Sequence, residues 1–102
     1  MRANSNTPRQ GMRKRGFDRY RLPAVADYFR PIFGELRFNP SGWAQVRCVF
    51  HEDGHASLSI HRERGAFRCF ACNARGGDML AFEMLRSGAD FTSAARTLGA
   101  WR

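Results

Sequence analysis

The chain predicts an α+β fold, a small antiparallel sheet with short helices on either side. Between residues 43 and 70 the apolar positions alternate in short runs broken by turn residues, as strands do. Before and after that stretch they recur at three- and four-residue spacing, as helices do. Two close-set pairs of thiol and imidazole side chains bracket the strand region and offer it a staple. A length of 102 residues fits one domain, whose apolar core alone would be marginal.

Residues 1–17 are rich in Asn, Arg, Gly and Pro and almost free of apolar side chains, so a disordered basic arm is expected there, with the domain proper over 18–102. Pro23 suits the first turn of a helix, where its missing N–H costs nothing. Val25, Tyr28, Phe29 and Ile32 then form a core-facing stripe, and Pro31 limits the helix to about two turns.

A hairpin is expected next. Leu36–Phe38 reads as a short strand, Asn39-Pro40-Ser41-Gly42 as a turn, and Trp43–Cys48 as the returning strand. In Ala56–Arg62, Leu58 and Ile60 share one face and Ser57, Ser59 and His61 the other. Arg64-Gly65 is a turn, and Ala66–Phe70 a further strand. Asn73–Gly77 reads as a glycine-rich corner, after which Asp78 can cap a helix. That helix carries Met79, Phe82 and Leu85 on one side and ends at Gly88. A last helix, from about Thr92 to Gly99, turns Ala94, Ala95 and Leu98 inward.

Charge narrows the function. Seventeen Lys and Arg face nine Asp and Glu, for a formal net charge of +8, and all but Lys14 of the basic residues are arginine. The planar guanidinium fork suits phosphate and stacks on flat rings, so a polyanion is the expected partner. No apolar run is long enough to span a bilayer, and the N-terminus lacks the apolar stretch of a signal peptide. With an odd cysteine count of three, the expectation is a cytoplasmic protein with reduced thiols and no membrane partner.

Cys48-x-x-His51 and Cys69-x-x-Cys72 are 17 residues apart, within the range of zinc ribbons. A two-residue gap lets both side chains of a pair point at one metal, and two such knuckles make the tetrahedron that zinc takes with sulfur and nitrogen. Four protein ligands leave no open position, so one structural Zn2+ is expected, and the metal-free chain should be largely unfolded. His51 has the knuckle spacing; His55, in the loop, is its competitor, and His61 reads as a surface residue. A redox role for Cys69 and Cys72 lacks its usual strand-to-helix setting.

The run from Cys48 to Met84 resembles the N-terminal Cys-His-Cys-Cys zinc finger of bacterial, phage and plasmid DNA primases. Cys48, Phe50, His51, Ser57, Leu58, Cys69, Phe70, Cys72, Gly77, Asp78 and Phe82 carry the resemblance, which continues more weakly back to about residue 22 and on through Phe91 to Leu98. Val49 and Ala56 stand where the family has prolines and Asn73 where it has a glycine; asparagine tolerates a left-handed backbone. The resemblance implies a zinc ribbon on a short antiparallel sheet that binds single-stranded DNA template and helps select where primers start. Family members normally continue into a catalytic polymerase domain, whereas these 102 residues stop at Arg102. The carboxylates here are scattered, with no Asp-x-Asp pair and no phosphate-binding glycine loop with its lysine. Nucleotidyl transfer is therefore expected from a separate catalytic polypeptide, and the protein partner expected is that polypeptide or a helicase.

The expected nucleic-acid face combines Arg47 and Arg68 on the strands, Arg62 and Arg64 at a hairpin tip, and the rings of Trp43 and Phe70; Phe82 is core. Arginine on phosphate with an aromatic ring under a base is how single strands are held without strict sequence reading. A duplex-binding regulator and a zinc-stabilised protein-interaction module remain open as other readings.

Overall fold

The computed structural model describes residues 16–52 and 54–102; the greater part of the expected basic arm, residues 1–15, lies outside them. Gly16 and Phe17, at the end of that arm, are tied to the other end of the chain. Phe17 pairs antiparallel with Trp101, the Arg102 N–H donates to Gly16 O at 2.7 Å, and the Asp18 N–H donates to Ala100 O at 2.8 Å. The Phe17 ring also meets Phe91 edge-on. A 3-10 turn, Arg19–Arg21, follows under an Asp18 cap.

Helix α1 spans Val25–Phe33 and buries Val25, Tyr28 and Phe29. It begins two residues after Pro23 rather than at it, and Pro31 lies inside its last turn. Nine residues are about two and a half turns, close to the length that the proline allows.

The expected strand at Leu36–Phe38 is absent. Leu36 and Phe38 pack against the core through their side chains, and only Asn39, at the turn, donates its N–H back to Trp43 O. The Asn39 side chain explains why the turn is so tight: its Oδ1 accepts from the N–H groups of both Ser41 and Trp43.

Four strands form one antiparallel sheet in the order β1-β2-β3-β4: β1 Trp43–Val46, β2 Leu58–His61, β3 Phe67–Cys69 and β4 Arg75–Gly76. The register aligns Ala44 with Ile60, Val46 with Leu58, Leu58 with Cys69, and Ile60 with Phe67 on the inner face. Strand β4 was not apparent in the glycine-rich corner. It is two residues long, and Gly76 is there because Phe67 and Ala81 leave no space: a Cβ would stand 2.6 Å from the Phe67 ring and 2.7 Å from Ala81 Cβ.

Helix α2, Met79–Ser87, is capped by Asp78, whose carboxylate accepts from the Ala81 N–H at 2.8 Å, as its position in the sequence suggests. Its buried face is Met79, Leu80, Phe82 and Glu83, while Leu85 is 50% exposed. At 100° per residue, Leu85 points away from the centre of the face that Met79 and Glu83 define. Helix α3, Phe91–Thr97, is capped by Asp90 and buries Ala94 and Ala95.

The main core lies between the inner face of the sheet and α1 and α2. Phe82 is its centre, fully buried, with its ring about 5 Å from those of Phe29, Phe50 and Phe67. A smaller cluster of Leu80, Ala94 and Ala95 joins α2 to α3. Among the described residues no helix is long and apolar enough to cross a membrane.

Candidate metal centre and the sheet face beside it

The two knuckles come together because the sheet brings them together. Cys48 follows the end of β1, and Cys69 is the last residue of β3. Between them β2 pairs with both strands, so the chain leaves the sheet twice at the same end. The second knuckle is closed by backbone bonds: Asn73 N–H donates to Cys69 O, and Cys69 N–H to Ala74 O. Asn73 has φ 64°, the left-handed conformation for which asparagine is suited. In the first knuckle the Phe50 N–H donates to Cys48 Sγ at 3.3 Å, and the Phe50 ring anchors the loop on Phe67 and Phe82.

The ligand atoms of Cys48, His51, Cys69 and Cys72 all lie within 4.8 Å of one another. Cys48 Sγ is 3.8 Å from Cys72 Sγ, and Cys69 Sγ is 4.0 Å from His51 Nδ1. Zn–S bonds of about 2.3 Å at a tetrahedral angle place two sulfurs ~3.8 Å apart, so the cluster has the size that zinc requires. The chemistry fits as well. Burial pushes the Cys48 thiol up to about 12. Burial also acts upward on Cys69, but the backbone N–H groups of Cys72 and Ala71 and the Ser57 hydroxyl outweigh it and bring that thiol down to about 7. Three crowded sulfurs, two of them buried, need a cation to be thiolates together.

The competing histidines lie elsewhere. The His61 Nε2–H donates to Ser41 O, and its Nδ1 accepts from the Glu63 N–H, so both ring nitrogens are occupied. His55 is exposed and outside the cluster.

The outer face of the sheet carries the polar alternates. Gln45, Ser59, Arg68 and Arg75 stand in one row across all four strands, and Trp43 faces His61 in the next. The Trp43 and His61 rings meet edge-on at 4.8 Å. Asn39, Trp43, Gln45, Ser59, Arg68 and Phe70 line a groove of about 320 Å³. Its floor is Ser59, only 8% exposed, which accepts a hydrogen bond from Gln45 Nε2. Its wall at the metal end is Phe70, 70% exposed.

Three of the six residues expected to meet nucleic acid, Trp43, Arg68 and Phe70, thus share one groove. Arg47 is exposed just past β1, in step with Trp43 and Gln45. Arg62 and Arg64 lie on the β2–β3 turn and line a different cleft, with Phe17, Arg19, Tyr20 and residues 22–25. Gln45 and Ser59 were not singled out from the sequence, although their even spacing from Trp43 and His61 would have placed them here.

The family model of the CHC2 zinc finger, the zinc ribbon of DnaG, matches residues 36–101. The DNA primase of Helicobacter pylori (strain ATCC 700392 / 26695) is 33% identical over 69 residues, which span 64% of this chain and 12% of that primase. The cluster, its dimensions and this match agree on one structural zinc ion. The chain belongs to the CHC2 zinc-finger family, the zinc ribbon of DnaG-type DNA primases.

Proposed function

We propose that this chain is a cytoplasmic template-binding module of primer synthesis: it holds single-stranded DNA on the outer face of its sheet while a catalytic polypeptide, working with a helicase, supplies nucleotidyl transfer. Cys48, His51, Cys69 and Cys72 hold the zinc and take no part in the reaction; they fix the end of the sheet against which the strand lies. The observation that carries the reading is the groove between Trp43 and Phe70 with Arg68 in its wall. Aromatic surfaces take bases, the guanidinium takes phosphate, and the net charge of +8 draws in a polyanion. Such binding is sequence-tolerant and strongly salt-dependent.

Fluorescence anisotropy on the zinc-loaded chain, with labelled single-stranded and duplex oligonucleotides in one salt titration, tests this. Single strands should bind more tightly than duplex, and Arg47→Ala with Arg68→Ala should weaken them while zinc content stays at one per chain. A preference for duplex would favour a regulator, no binding a protein-interaction module, and an unweakened double variant would reject this face.

A further inference from the structure

We infer that the cleft between the β2–β3 turn and the 3-10 turn is a second contact site for the same single strand, so that the nucleic-acid track leaves the sheet and bends round the hairpin tip. The inference rests on the template-binding reading and extends it.

The cleft has a volume of about 750 Å³, more than twice that of the sheet groove, and Arg19, Tyr20, Arg62 and Arg64 are among its lining residues. Tyr20 is 87% exposed, the barest large apolar side chain among the described residues, and its backbone is pinned by the cap of the 3-10 turn. Its N–H donates to Asp18 Oδ1 at 3.0 Å, and the Arg19 guanidinium lies 5.6 Å from its ring centre. An uncovered ring with a cation beside it is a platform for a base with its phosphate. Two carboxylates, Glu63 and Asp78, also line the cleft. Asp78 is engaged in capping α2, and three arginines outnumber the pair.

The two sites are joined by a continuous series of contacts. Trp43 at the end of the groove packs on His61, and His61 holds Ser41 O of the neighbouring turn. The Arg62 N–H donates to Gly42 O at 2.9 Å, which fastens the two turns together. Gly42 permits this: with φ 89°, a Cβ would stand 2.8 Å from His61 Nε2 and 3.3 Å from Arg62 Nε. A strand leaving the Trp43–His61 edge therefore meets Arg62 first and the Arg64, Arg19 and Tyr20 surface next.

The test is a length series of labelled oligothymidylates, from about 4 to about 16 nucleotides, on the zinc-loaded chain. Affinity should rise with length until both sites are filled. Tyr20→Ala with Arg64→Ala should leave the shortest strands unaffected and cost the longest about tenfold, while Trp43→Ala weakens every length. Both altered side chains are exposed, and circular dichroism with zinc content checks the fold. A double variant equal to the parent at every length would overturn the second site, as would a loss equal at short and long lengths. A parent that binds no single strand of any length would instead overturn the template-binding reading beneath it.

Discussion

The Tyr28 hydroxyl donates a 2.6 Å hydrogen bond to Glu83 Oε1, joining α1 to α2 across 55 residues of sequence. Glu83 is 4% exposed and also accepts from Arg86 at 3.0 Å, so its charge is compensated from two sides. The tyrosine's own ionisation is driven well above its usual range, first by burial and then by the carboxylate. Glu83→Ala takes the acceptor from the Tyr28 hydroxyl and the charge partner from Arg86, leaving the tyrosine only its contact with that arginine; it should cost about 2–3 kcal/mol, whereas Tyr28→Phe, which keeps the Glu83–Arg86 pair, should cost about 1 kcal/mol. Denaturant melts of the zinc-loaded variants measure both, and equal losses would contradict the asymmetry.

Removal of zinc should unfold the domain. Structural zinc is worth on the order of 10 kcal/mol, comparable to the whole stability of a chain this size. Chelation should abolish near-UV dichroism and most far-UV signal. Spectra that survive it would show that the sheet stands without its staple.

The histidines should separate cleanly. His51→Ala should lower bound zinc below one equivalent, while His55→Ala and His61→Ala keep it, because His61 spends both ring nitrogens on Ser41 and Glu63. Metal analysis of the three purified variants decides it.

Gly76→Ala should destabilise the domain by about 1–3 kcal/mol, since the added methyl meets the Phe67 ring and Ala81 Cβ inside contact distance. A thermal midpoint equal to the parent's would mean that β4 and α2 can move apart at no cost.

Asp90 should titrate below the usual carboxylate range, because its side chain accepts from the Ser93 N–H and hydroxyl. A depressed folded-state value means that its support of α3 is present above the unfolded carboxylate pKa and is lost as pH falls through the folded one. Side-chain NMR through an acid titration follows it directly.

What the sequence disclosed depended on the range of the cause. The knuckle spacing, the Asp78 cap and the alternation in β2 are local, and each was readable from adjacent residues. Leu36–Phe38 has the apolar alternation of a strand, but it serves side-chain docking, with Asn39 alone of this stretch pairing back to Trp43. Strand β4 was invisible because two residues carry no period, and Gly76 signals a turn as readily as a close approach. Leu85 was placed inward by its spacing from Phe82, but the buried face is centred on Glu83, whose partner Tyr28 is far away in sequence. Arg62 and Arg64 are legible as hairpin-tip residues, and the β2–β3 turn carries them there; what the sequence does not show is the cleft beside Tyr20 that they line, because its other wall comes from residues about 40 positions earlier.

The pairing of Phe17 with Trp101 has a mechanical corollary. Gly16 and Arg102 are the outermost partners of an antiparallel ladder. Tension applied between these two positions would peel the latch open one bond at a time, like a zipper, rather than shear it. Stretching would spend itself there first, and the zinc knuckles would feel no pull until that seam had parted.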